Sequence, residues 1–150
     1  MPPNRGARQA VHPAKLRHIS VGGQEDSGGR RCRLLLAEDD ELHGRLLRSL
    51  HDEDGRFEIV GVARDGRKAV ELASSLVPDV VLVDIHMPLM DGIAATRQIR
   101  EQNPSLPVVV LSSSEYEDRA IEALDAGAAD YVRKGRVDED LADAILGAIR

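Results

Sequence analysis

Aromatic side chains are nearly missing from this sequence: 150 residues hold no Trp, two Tyr and one Phe. A core without them is assembled from Val, Leu, Ile and Ala, which suits parallel strands buried on both faces beneath helices. Cysteine is as scarce. Cys32 stands alone, which excludes an internal disulfide framework and makes a cytoplasmic location the simplest expectation. No apolar run approaches the roughly 20 residues of a membrane-spanning helix. The first residues also lack the apolar stretch of a secretory signal. No membrane partner is expected.

Charge is uneven. The chain carries a net −6, yet residues 1–32 hold six Arg or Lys against Glu25 and Asp26, leaving 14 basic and 24 acidic side chains in the remainder. An acidic body repels phosphate backbones, so direct nucleic-acid binding by this domain is not expected. Residues 1–31 mix Pro, Gly, Arg, Ser and Gln without period, and read as a disordered tail. Residues 32–150 read as one folded domain, with 42% apolar residues over the whole chain to fill a core.

Past the tail the pattern is regular. Leu34 to Ala37 is a short apolar run, and Leu42, Leu46, Leu47 and Leu50 then recur at helical spacing. Phe57–Ala63 is a second strand. Asp65-Gly66 turns the chain, and Ala69, Val70, Leu72, Ala73 and Leu76 mark a helix stopped by Pro78. Val80 to Val83 is the third strand. Asp91 can cap a helix running to about Glu101, ended by Asn103-Pro104. Val108 to Leu111 is the fourth strand. Ile121, Ala123 and Leu124 lie on a helix that Gly127 closes. Tyr131, Val132 and Arg133 form a fifth strand, and Asp138 opens a last helix. Five βα units in strict alternation mean a parallel sheet covered on both faces. The expected fold is α/β: a doubly wound, flavodoxin-like (βα)5 domain with a five-stranded sheet in the order 2-1-3-4-5.

In such a sheet ligands bind beyond the carboxyl ends of the strands. Those ends read as follows: Glu38-Asp39-Asp40 after strand 1, Asp84 after strand 3, Ser112 after strand 4 and Lys134 after strand 5. Each has a plainer use. Acidic residues favour a helix N-terminus, Asp forms turns, Ser caps helices, and Lys is usually a solvated charge. Their joint placement at four strand ends favours chemistry. Crowded carboxylates need a cation, and an oxygen-rich set suits Mg²⁺. A carboxylate can act as nucleophile and form an aspartyl phosphate, while a lysine and a hydroxyl steady the phosphoryl oxygens. His43, His51 and His86 show no zinc-ligand spacing.

Several stretches resemble the receiver domain of bacterial two-component response regulators. Residues 78–92, PDVVLVDIHMPLMDG, look like its phosphoacceptor segment. Residues 36–40, LAEDD, look like its acidic pair. Residues 110–113, VLSS, and 126–134, AGAADYVRK, look like the segments carrying its hydroxyl, switch aromatic and lysine. The resemblance implies that Asp84 is phosphorylated by a sensor histidine kinase or phosphotransfer protein. It implies that Asp39 and Asp84 bind Mg²⁺ directly, that Glu38 acts through a metal-bound water, and that the backbone carbonyl of His86 completes the set. Ser112 and Lys134 would serve the phosphoryl group, and Ser112 with Tyr131 would form the switch. Phosphorylation would then reshape the face of the fourth helix, fifth strand and last helix, altering partner binding or a homodimer.

Two residues depart from the family pattern: Ser112 stands where Thr is commoner, and Gly135 where Pro often follows the lysine. The glycine and residues 91–97, DGIAATR, resemble the subfamily that usually carries a helix-turn-helix, which implies an output in transcription. The expectation is a phosphoacceptor signalling domain, not an enzyme, with slow self-dephosphorylation only. The alternative is an aspartate-nucleophile phosphatase of the haloacid-dehalogenase kind, whose Asp-x-Asp pair would follow strand 1.

Overall fold

The computed structural model describes residues 31–38, 55–112 and 119–150. The expected tail up to residue 30, Asp39, Asp40 and the expected helix over 42–50 lie outside the described residues. Within them the chain runs β1 (Cys32–Ala37), β2 (Phe57–Ala63), α1 (Gly66–Leu76), β3 (Val80–Asp84), α2 (Gly92–Gln102), β4 (Val108–Ser112), α3 (Arg119–Asp125), β5 (Asp130–Arg133), a 3-10 turn (Lys134–Arg136) and α4 (Val137–Ile149). The strands form one five-stranded sheet in the order β2-β1-β3-β4-β5, and every pairing is parallel. This is the expected doubly wound fold.

The apolar runs of β1, β3 and β4 are continuous because both their faces are buried. Successive side chains point to opposite faces, and the two core clusters sort them accordingly. Leu34, Leu36, Val80, Leu82, Val109 and Leu111 pack with Leu141, Ala144, Ile145 and Ile149 of α4. Leu35, Ala37, Val81, Val83, Val108 and Val110 pack with Ala69 and Ala73 of α1, Ile93 and Ile99 of α2 and Ala123 of α3. Burying a Leu or Ile side chain in this way stabilises by roughly 1.5–3 kcal/mol.

Two local expectations shift. Asp65 forms the N-cap of α1, its carboxylate accepting from Lys68 N at 2.8 Å. The last helix begins at Val137 instead of Asp138, because residues 134–136 take a 3-10 turn that feeds directly into it. Asp91 caps α2 as expected, accepting from Ala94 N at 2.9 Å.

Parallel register lines up the carboxyl ends of the strands. Ala37 sits opposite Val83, so Glu38 and Asp84 follow on neighbouring strands. Asp84 lies opposite Leu111 and Ser112 opposite Arg133, which brings Lys134 to the same edge.

Candidate functional site

The site is built from polar residues that end apolar strands. Asp84, the last residue of β3, is only 1% exposed, yet it is ionisable. Burial of a carboxylate is costly without partners, and two groups offset the cost. Lys134 Nζ donates to Asp84 Oδ2 at 2.7 Å, and the backbone N–H of His86 donates to Oδ1 at 3.1 Å. Short charge-assisted contacts of this kind are about twice as strong as neutral ones. Lys134 is reachable because it opens the 3-10 turn right after β5, and its side chain stays 21% exposed.

The loop that follows Asp84 is fixed by a close approach. Gly92 N donates to Ile85 O at 2.8 Å, which presses the start of α2 against the end of β3. A Cβ at Gly92 would fall 2.1 Å from the carbonyl oxygen of Asp84, so only glycine fits. Within this loop Leu89 takes a left-handed φ of 69°, a conformation uncommon outside glycine, and exposes its side chain.

Glu38 is fully buried at the end of β1, with its backbone N–H donating to Ala63 O at 3.0 Å. Its carboxylate and that of Asp84 end adjacent strands. Two buried carboxylates at one sheet edge are hard oxygen donors, and they fit Mg²⁺ better than a softer metal. Asp39 lies outside the described residues. Among the described residues no group of three or more His, Cys, Asp or Glu side chains is clustered for metal binding, so these residues give part of a ligand set.

Ser112 is fully buried at the end of β4. Its Oγ donates to the hydroxyl of Tyr131 at 2.7 Å, and Tyr131 packs against the α1–α2 side of the core. The sequence singles out both residues, but not their direct contact: the aromatic ring is already turned inward. An open cleft is lined by Asp84, His86, Met87, Pro88, Asp91, Arg119 and Lys134. The structure thus brings Asp84, Lys134 and His86 to one cleft, with the Ser112–Tyr131 pair beside it on β4 and β5.

Arg119 is a cleft residue that strand-end reasoning misses. It sits at the start of α3, pairing with Glu122 at 3.1 Å and with Asp91 at 3.8 Å. The hydrogen bond to Glu122 is the largest cause that raises its pKa; burial opposes it, and the charges of Glu122 and Asp91 add to the rise. Its guanidinium stays charged. A lone cation at a helix start leaves no periodic signal, and only the folded arrangement places it beside Asp91.

A parallel sheet with a carboxylate, a lysine and a hydroxyl at its carboxyl edge defines a receiver-type domain. Residues 34–146 match the family model described as the response regulator receiver domain, and the chain belongs to that family. It is 42% identical over 106 residues to a protein-glutamate methylesterase/protein-glutamine glutaminase of Alkalilimnicola ehrlichii, covering 69% of this chain and 27% of that protein. Among solved structures, the response regulator domain of Thermotoga maritima CheB aligns with a TM-score of 0.70 and 33% identity, covering 80% of this chain and 97% of that one. The signal receiver domain of the response regulator NarL from Mycobacterium tuberculosis aligns with a TM-score of 0.67 and 27% identity, covering 77% and 96%.

These relatives correct one expectation. The chain reads in sequence as a signalling domain and not an enzyme, yet the curated proteins it matches carry enzyme names. The chain spans 27–30% of the length of those relatives. A receiver can be one unit of a larger enzyme, and residues at its own strand ends carry no trace of the other units. The same finding weakens a transcriptional output, since a methylesterase is no DNA-binding unit.

Proposed function

We propose that this domain is a phosphoryl-controlled switch in two-component signalling, with Asp84 as the phosphoacceptor. The observation that carries this reading is the buried Asp84 carboxylate held by Lys134 at 2.7 Å at the open end of the sheet. Burial with an ordered partner holds the nucleophile in one orientation, which is most of what phosphoryl transfer demands of a protein.

A carboxylate oxygen of Asp84 forms the new O–P bond as the donor's P–N bond to histidine breaks, and the imidazole leaves with the electron pair of that bond. Lys134, already on the carboxylate, pairs with a phosphoryl oxygen as charge moves outward. The Ser112 hydroxyl serves a second oxygen. Because it now meets Tyr131, the two hydroxyls can reverse their roles: Tyr131 donates to Ser112 Oγ, and Ser112 turns its proton to the phosphoryl group. This links the site to the surface of β5, α3 and α4, where a partner or a second copy of the chain would read the state. Asp39, Asp84 and the His86 carbonyl would hold Mg²⁺, with Glu38 acting through a water, and the ion would supply positive charge against the phosphoryl oxygens.

The phosphoryl donor is a sensor histidine kinase or a phosphotransfer protein. The output is of the enzymatic kind named for the relatives, ahead of a DNA-binding one. A haloacid-dehalogenase-type phosphatase needs its nucleophile after the first strand, where Glu38 stands. Incubation with acetyl phosphate, followed by intact mass, tests the switch: a phosphoryl gain is expected with Mg²⁺ and none with EDTA. Gain of equal size in EDTA contradicts the metal's part, and no gain in either contradicts the reading.

A further inference from the structure

The cleft beside Asp84 holds two cationic side chains among its described lining residues, Lys134 and Arg119. Lys134 is committed to Asp84 by a 2.7 Å contact. Arg119 lines the same cleft, but its charge is held differently. On its own helix it makes a 3.1 Å pair with Glu122, whose side chain is 53% exposed. Across the cleft it reaches Asp91 at 3.8 Å, near the limit of an ion pair. Asp91 is itself occupied, since its other oxygen caps α2. The Arg119–Asp91 contact is therefore a loose strap between the first residues of two helices. Exposed pairs at such distances contribute little to stability. A phosphoryl group brings close to two negative charges and several strong acceptor oxygens, and a guanidinium is shaped to hold two such oxygens at once.

We propose that Arg119 is a second anion-binding residue of this cleft, exchanging Asp91 for a non-bridging oxygen of the phosphoryl group that enters at Asp84. The inference rests on Asp84 being the acceptor. Arg119 takes no part in bond making: with acetyl phosphate, the Asp84 oxygen forms the O–P bond, the P–O bond to acetate breaks, and acetate leaves with the electron pair. Arg119 steadies the charge that moves onto the phosphoryl oxygens and so sets how readily small anionic donors are used. The exchange also draws the start of α3 toward the phosphoryl group, giving that helix a direct tie to the site besides the one through Ser112.

The test uses the intact chain, with two readouts of opposite sign. In Arg119→Ala the acetyl phosphate concentration needed for half-maximal phosphorylation rate should rise, on the order of tenfold. Partial exposure keeps it below the hundredfold or more of buried anion-hole donors. Affinity for Mg²⁺ alone, by calorimetry, should stay equal or rise up to about threefold, because a repelling cation is gone. General damage to the cleft weakens both, and that outcome overturns the inference. Arg119→Lys should fall between wild type and Ala, while Arg119→Gln, which keeps the size, should behave as Ala; it replaces Ala if that variant melts early. Asp91→Asn, which preserves the cap, should ease donor uptake only while Arg119 is present. If wild type is phosphorylated and all Arg119 variants match it at every donor concentration, the Arg119 inference falls and the reading of Asp84 stands. If wild type itself takes no phosphoryl group, both fall.

Discussion

The two ends of the sheet use their charged side chains in opposite ways. At the amino end, charge is spent on backbone. Arg33 of β1 donates to the carbonyls of Val77 at 2.5 Å and Leu76 at 3.0 Å, closing the C-terminus of α1, and its own N–H is held by Asp79 at 2.8 Å. Arg100, near the end of α2, donates to the carbonyls of Pro104 and of Leu106, the latter at 2.9 Å. At the carboxyl end, charge meets charge around an open cleft: Lys134 with Asp84 and Arg119 with Asp91. A cation bound to carbonyls at or just past a helix end satisfies backbone acceptors there, so it cannot leave without cost. A cation bound to a carboxylate can exchange it for a phosphoryl oxygen at little cost. The amino end is thus a clasp, and the carboxyl end an exchangeable site.

The sharpest way to break this division is Gly92→Ala. A Cβ there lands 2.1 Å from Asp84 O and 2.7 Å from a Val83 methyl, and neither belongs to a flexible side-chain end. We expect a loss of about 3 kcal/mol in urea unfolding together with slow phosphorylation, since the strand end that carries Asp84 must shift. A variant of unchanged stability and rate would mean that the loop has slack the structure does not show.

Arg33→Ala and Lys134→Ala form the next pair. Removing Arg33 leaves the Leu76 and Val77 carbonyls without their donor and should cost about 1–2 kcal/mol, with the phosphorylation rate unchanged. Removing Lys134 should slow phosphorylation on the order of a hundredfold and also lower stability by about 1–3 kcal/mol, because Asp84 loses a charged partner while 1% exposed. Measuring both quantities on both variants decides the matter. The division collapses if Arg33→Ala slows phosphorylation as much as Lys134→Ala does.

The smallest effect expected is a gain. Val77 ends α1 with a φ of 50° and a side chain 67% exposed, an awkward conformation for a β-branched residue. Val77→Gly relieves that strain and loses little packing. The thermal midpoint should rise modestly, corresponding to about 0.5–1 kcal/mol, with phosphorylation untouched. A falling midpoint would show that Val77 packs more than its exposure implies.

Much of this was legible before folding. Strands buried on both faces appear as unbroken runs such as residues 80–83, and the first polar residue after each run, or nearly the first, marks the site edge. That is why Asp84, Ser112 and Lys134 stand out. What escaped depends on distance in the chain or on units beyond it. Arg119 and Asp91 are 28 positions apart and share no pattern, and their meeting follows from two helix starts facing one cleft. The Ser112–Tyr131 contact joins neighbouring strands through hydroxyls whose rotamers no spacing rule specifies. Asp65 reads in sequence only as a turn residue, and its acceptance from the backbone N–H of Lys68 makes it a cap. The enzyme names of the relatives lie beyond any inference from the residues of a receiver.

The central claim is that the exchangeable site is organised around Asp84 as a nucleophile. Its most direct test is intact mass of wild type and Asp84→Asn, side by side, after acetyl phosphate and Mg²⁺. Asparagine keeps the shape and the His86 contact but removes the nucleophilic charge. The account predicts the mass of one phosphoryl group on wild type and none on the variant. Equal gain on both, at the same rate, would place the acceptor elsewhere and contradict it.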